Sequence, residues 1–251
     1  AQSGDFVSSL ERAQVQLREV GIPSNRLQRQ KFLAAWSEAA RKAAKKGLGI
    51  SMLLVPLSAC KNDGGSDTNG FVIDGYIADG FIFRDENGNG IFDSGEASSR
   101  TGSDGSFALG GDETKSIVVD GSDGRARDLD NPTEAFTGIL LAPAGSTVVT
   151  PLTTLVQQLV EAGETVASAT ASVKQALGIT GDADLLSTDP IASENLEVYK
   201  AGVQVAGLIA AAGGGAAGLE VTKALSQTVK TASDNSLSVD LTNADAVKAV
   251  M

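Results

Sequence analysis

Histidine is absent from this sequence and cysteine occurs once, at Cys60. Ser-His-Asp triads, Cys-His dyads, histidine-ligated metal centres and internal disulfides are therefore all excluded. Aromatic residues make up only 4%, with one Trp, at Trp36, and two Tyr, which leaves little surface on which sugar rings stack. No Walker loop, dinucleotide fingerprint or G-x-S-x-G elbow occurs, and Gly213-Gly-Gly215 lacks the Lys and Ser/Thr that a phosphate loop needs. The two most apolar stretches, Gly47 to Cys60 and Val203 to Ala217, fall short of the roughly 20 residues that span a bilayer, and Pro or Gly breaks each of them. What the 251 residues do hold is 42% hydrophobic side chains, mostly small aliphatics, with 29 Gly. That suffices for one large domain or two modest ones and is neither disordered nor collagen-like.

Charge is unevenly placed. Up to Lys61 there are ten basic and four acidic residues, a net +6; the rest carries ten basic and 27 acidic, a net −17, giving −11 in all. The acidic body repels nucleic acid, so no nucleic-acid partner is expected, and it suits a cation-rich setting outside the cytoplasm. The basic head, residues 1–60, reads as two helices. The first covers Phe6 to Val20 and stops at Gly21-Ile-Pro23; the second runs from Arg26 to Lys46, capped by Ser24 and closed by Gly47. Arg41, Lys42, Lys45 and Lys46 then flank an apolar run, and Leu57-Ser-Ala-Cys60 resembles the lipobox of bacterial lipoproteins, which implies lipidation of Cys60 and attachment to a membrane. The other reading of this stretch is a buried apolar segment with an inert Cys. Residues 61–70 read as a linker.

From Gly70 the pattern turns to period two with frequent turn residues: Phe71, Ile73, Tyr76, Phe81 and Phe83, then short strands at Ser106 to Leu109, Ser116 to Val119 and Phe136 to Leu141. Such spacing predicts a small β-sandwich over residues 71–149. Within it, Asp85-Glu-Asn-Gly-Asn-Gly-Ile-Phe-Asp-Ser-Gly-Glu96 satisfies D-x-[DN]-x-[DN]-G-x5-E at every constrained position. A hard cation that takes about 6–8 oxygens can be wrapped by one loop if oxygens recur at alternate positions. The expected Ca2+ ligands are the side chains of Asp85, Asn87, Asn89, Asp93 and Glu96 and the carbonyl of Ile91, with Gly90 permitting the reversal. Without the ion, three carboxylates held together are expected to strain the loop. A plain hairpin built on Asn87-Gly88 and Asn89-Gly90 is the alternative. β-like flanks on both sides argue for a static site rather than a helix-loop-helix sensor.

Gly75-Tyr-Ile-Ala-Asp-Gly-Phe-Ile-Phe-Arg-Asp85, the Asn-Gly-Asn-Gly loop and Thr101-Gly-Ser-Asp-Gly-Ser-Phe107 resemble the calcium-bearing Cna-B/SdrD-type modules of bacterial surface proteins. The Ser-Asp-Gly-Ser-Phe hairpin is also similar to carboxypeptidase-regulatory-like domains, which share the prealbumin-like sandwich. Phe136 to Leu155 resembles a segment that recurs in large proteobacterial surface proteins with adhesin repeats. The resemblance covers about Gly70 to Gly178. It implies a prealbumin/Ig-like calcium-loop sandwich and a secreted or surface-displayed, non-enzymatic role.

Residues 150–251 read as an α-helical bundle. Thr150-Pro151 caps a helix through Leu152, Leu155, Val156, Leu159 and Val160 to Gly163. Thr165 caps a second, closed by Gly178; a third runs from about Ser193 to Ala212, a fourth from Leu219 to about Ala232, and Asp245 begins another. The fold expected is α+β: a basic helical head, a calcium-loop β-sandwich and a helical bundle. The function expected is a calcium-stabilised structural or adhesive module of a bacterial cell-surface protein, outer-membrane-associated and self-assembling as a homo-oligomer, lattice or filament. Two alternatives stay open: an outer-membrane lipoprotein that binds a small or polysaccharide ligand, and a polysaccharide-active enzyme using a pair such as Asp182/Asp184 or Asp128/Asp130. Solvated surface is the plainer reading of both pairs.

Overall fold

The computed structural model describes residues 67–242. The two head helices, Cys60 and the helix expected from Asp245 lie outside the described residues. Numbered along the chain, three short sheets precede four helices, and the fold is α+β. In the first sheet β1 (Thr68–Val72) lies between β5 (Ser106–Leu109), antiparallel to it, and β9 (Val148–Val149), parallel. The second is antiparallel throughout, in the order β4 (Ser98–Arg100), β3 (Phe81–Asp85), β6 (Ser116–Asp120), β8 (Ile139–Ala142). A two-stranded ribbon pairs β2 (Ile77–Ala78) with β7 (Arg127–Asp128).

Alternation along the four-stranded sheet sends its side chains to two cores. Ile82, Val119 and Leu140 stand in register and join the main core, whereas Phe83, Val118 and Leu141 point the other way, packed with Phe81, Ile139 and Leu219. The main core takes Val72, Phe107 and Leu109 from the first sheet and continues into the helices through Leu152, Leu155, Val156 and Leu159. β strands and helices therefore share one hydrophobic cluster.

The helix α1 (Pro151–Glu161) is buried on every side from Pro151 to Leu159, because it lies between β8 and the other helices, α2 (Val166–Ala176), α3 (Leu196–Ala211) and α4 (Gly215–Asp234). Thr150 caps α1, accepting from the N–H groups of Leu152 and Thr153, and the Thr153 hydroxyl accepts from the Thr150 N–H in return. The same threonines close the sheet. β8 is an edge strand whose outward Leu141 N–H donates to Thr154 Oγ1 (2.9 Å), while the Leu141 carbonyl accepts from Thr153 Oγ1 (2.8 Å). An edge that would otherwise expose its backbone is thus sealed by the first turn of α1.

Several boundaries differ from the sequence expectation. β8 starts at Ile139, because Phe136 instead donates its N–H to the Ala126 carbonyl. α3 starts at Leu196, after Asn195 accepts from the Val198 N–H, and Glu194 before it adopts φ 54°. α4 starts at Gly215, four residues early, since Gly213, Gly214 and Gly215 all take positive φ and reverse the chain within one step. At Gly214 a Cβ would lie 2.7 Å from Thr137 Oγ1, so only glycine permits this close passage.

Candidate functional site

The loop between β3 and β4 carries the twelve residues Asp85 to Glu96. Asp85 ends β3 and is buried, whereas residues 86–89 and 91–95 are exposed. Its two carboxylate oxygens gather the far side of the loop: Oδ1 accepts from the N–H groups of Gly88 (2.8 Å) and Asn89 (3.1 Å), and Oδ2 from that of Gly90 (2.8 Å). Gly88 and Gly90 both adopt positive φ, which this tight path requires. Asn87 Oδ1 accepts from the Asn89 N–H and Asn89 Oδ1 from the Ile91 N–H, each a local turn over alternate residues. Their amide nitrogens both donate to Asp93 Oδ2, at 2.7 and 2.8 Å. Glu96 spans the mouth, its Oε1 accepting from the Glu86 N–H and its Oε2 from the Asp93 N–H. The structure thus brings Asp85, Asn87, Asn89, Asp93 and Glu96 into one hydrogen-bonded ring, with Ile91 on its exposed outer arc.

The strain expected of three neighbouring carboxylates is met by N–H donors. Seven hydrogen bonds from backbone and amide groups reach Asp85, Asp93 and Glu96, so each charge is compensated locally. Among the described residues no group of three or more Asp, Glu, Cys or His stands in a metal-ligating arrangement. The chemistry of the donor set still fits a hard cation. It is made of oxygens alone, and an Asn carbonyl that accepts one N–H keeps a second lone pair. Binding would require the two Asn amides to release Asp93.

The ring is anchored to the fold on two sides. The Arg84 guanidinium is wholly buried and donates to the carbonyls of Gly110 and Lys115 and to Thr68 Oγ1. Burial holds its pKa below the ordinary arginine value, against the pull of Glu113, Asp112 and Glu86. Lys115 reaches the Glu86 carbonyl at 3.0 Å. On the other side Phe92 meets Phe81 and Phe83 edge-on, with centroids 5.1 and 5.6 Å away, and Arg100 stacks over Phe81 at 5.7 Å. No family model, no curated protein and no solved structure matches this chain.

The structure places the two acidic pairs of the sequence in different settings. Asp182 and Asp184 are exposed, and Asp184 caps a turn by accepting from the Leu186 N–H and the Ser187 hydroxyl. Asp128 instead joins Asp74, with Asp130 exposed beside them. Burial, then the charges of Asp128 and Asp130, pushes the Asp74 carboxyl up to about 8. Burial likewise pushes Asp128 up to about 6. Sequence reasoning missed Asp74, which reaches Asp128 only because β2 pairs with β7; no local signal announces that. Among the described residues no helix is long and apolar enough to cross a membrane.

Proposed function

We propose that the chain is a non-enzymatic, calcium-stabilised structural or adhesive module of a bacterial surface protein, its sandwich of the Cna-B/prealbumin-like kind and its head attached to the envelope through Cys60. The observation that carries this reading is the ring of five oxygen-bearing side chains closed between Asp85 and Glu96, built on a rigid strand. The three- and four-stranded sheets, which contribute side chains to a common core, support the sandwich. Asp85, Asp93 and Glu96 would hold the ion, whose positive charge would link the end of β3 to the loop that leads into β4, beside the contacts of Phe92 with Phe81 and Phe83. A ligand at about ten times its Kd stabilises the folded state by about 1.4 kcal/mol, or about 3–6 °C in Tm for a chain of this size.

Differential scanning calorimetry in millimolar calcium and in chelator tests this. The parent is expected to melt higher with calcium, and Glu96→Gln, whose amide oxygen still accepts an N–H, to lose the difference. Equal melting of the parent in both buffers would overturn the reading. Size-exclusion chromatography with and without calcium reports whether copies assemble.

A further inference from the structure

Three Asn-Gly pairs occur in the sequence, beginning at Asn69, Asn87 and Asn89. Asparagine is thermally labile, and a following glycine, with no Cβ to hinder approach, leaves its side chain open to attack by the next backbone nitrogen. In that reaction the glycine N–H gives its proton to hydroxide and the nitrogen bonds to the asparagine Cγ. The Cγ–Nδ2 bond breaks, and Nδ2 takes a proton from water and leaves as ammonia. Water then opens the cyclic imide at either carbonyl, leaving aspartate or isoaspartate. The net change is the gain of one water and the loss of one ammonia.

Two of these pairs follow each other in the loop after β3, where burial gives no protection, because residues 86–89 are exposed. The glycines are required there by backbone path rather than crowding. Gly88 and Gly90 take φ of +75° and +71°, although a Cβ at either would meet nothing within 4 Å. The labile sequence is thus imposed by the turn.

Hydrogen bonding supplies what burial does not. Both attacking nitrogens are tied to one carboxylate: the Gly88 N–H donates to Asp85 Oδ1 and the Gly90 N–H to Asp85 Oδ2, each at 2.8 Å. Removing the proton from either N–H would set two negative groups against each other. The carboxylate itself is fixed, since Asp85 is buried at the end of β3 and in register with Ser116. The asparagine side chains are held as well. Each Oδ1 accepts from the N–H two residues on, and both Nδ2 groups, the nitrogens that have to leave, donate to Asp93 Oδ2.

We propose that Asn87 and Asn89 are latent deamidation sites held closed by the Asp85 carboxylate, so that whatever draws Asp85 from the two glycine nitrogens opens them to modification. Each deamidation adds a negative charge to the loop. The inference stands apart from the calcium reading, because every contact it uses lies within the chain.

Peptide mapping by mass spectrometry tests this on the full chain, incubated in mildly alkaline buffer with chelator. In the folded parent, Asn87 and Asn89 are expected to deamidate at least about tenfold more slowly than in the same chain unfolded in urea. Asp85→Ala is expected to bring both close to the unfolded rate. Asn69-Gly70, paired with Ala108 and Phe107 in the first sheet, is expected to stay slow and so to report that the fold persists. Should Asn69 quicken too, Asp85→Asn, which keeps the shape and drops the charge, is expected to raise the two loop rates alone. Glu96→Gln leaves Asp85 in place and is expected to keep both sites slow. A folded parent that deamidates in the loop as fast as in urea, an Asp85 variant with slow Asn69 and unchanged loop rates, or a Glu96→Gln chain as labile as the Asp85 variants would each overturn the proposal.

Discussion

Asp85 answers to two demands at once. It is the first oxygen donor of the loop, and from its buried position it also accepts from three backbone N–H groups of the more exposed loop. Asp85→Ala is therefore expected to lower Tm with or without calcium, because it removes three hydrogen bonds that fix the loop's path, each worth about 1 kcal/mol. Thermal melts in chelator separate this from Glu96→Gln, which acts only when calcium is present. Asn89 offers the opposite test. Its amide donates to Asp93, so Asn89→Asp removes a donor and sets two carboxylates face to face. In chelator this variant is expected to lose about 1 kcal/mol, while a further charged ligand tightens calcium binding; titration with a calcium indicator and paired melts check both signs. The alternate oxygens of this loop were legible in the sequence because a ring closed within twelve residues is local. What was not legible is that N–H groups compensate the carboxylates, since the direction of an amide is set by the folded loop.

At the scale of elements, the helix starts were legible where a cap is written into adjacent residues. Thr150-Pro151 and Thr165 each mark an N-terminus from sequence alone, and both caps are present. The start of α4 was not, because three glycines in a left-handed path look like a linker until Thr137 is packed against them. Nor was the second task of Thr153 and Thr154, whose partner Leu141 lies on β8. Replacing Thr154 by Val keeps shape and burial but leaves the Leu141 N–H without its acceptor. Thr154→Val is expected to cost about 1–3 kcal/mol, read as a lower urea midpoint at unchanged slope. Thr153→Ser is expected to retain most of the stability that Thr153→Val loses, because the hydroxyl serves both the cap and the strand.

For the molecule as a whole, the carboxyl groups set how stability responds to pH. Asp74, near 8, and Asp128, near 6, have folded pKa values above the ordinary aspartate value, so their contribution is full in acid and is lost as pH rises through 6 and then 8. Asp104, Asp123 and Asp240 are shifted downward, chiefly by hydrogen bonds from Ser106, Arg125 and Thr242, and their contribution is lost as pH falls below the ordinary carboxylate range. The chain is therefore expected to be most stable in mildly acidic solution, with Tm falling from pH about 5 to about 9. Asp74→Asn is expected to flatten that decline and to melt higher than the parent on the alkaline side; a pH series of melts checks it.

The buried guanidinium of Arg84 also has a mechanical consequence. Thr68, which it grips, is the first residue of β1, so tension on the chain from its N-terminal side is delivered to a side chain adjacent in sequence to Asp85. Load applied from that side, and an ion if the loop held one, would therefore act on neighbouring residues of one strand. In single-molecule pulling from the N-terminal side, calcium would raise the force at which β1 peels away, and Arg84→Met would erase that gain.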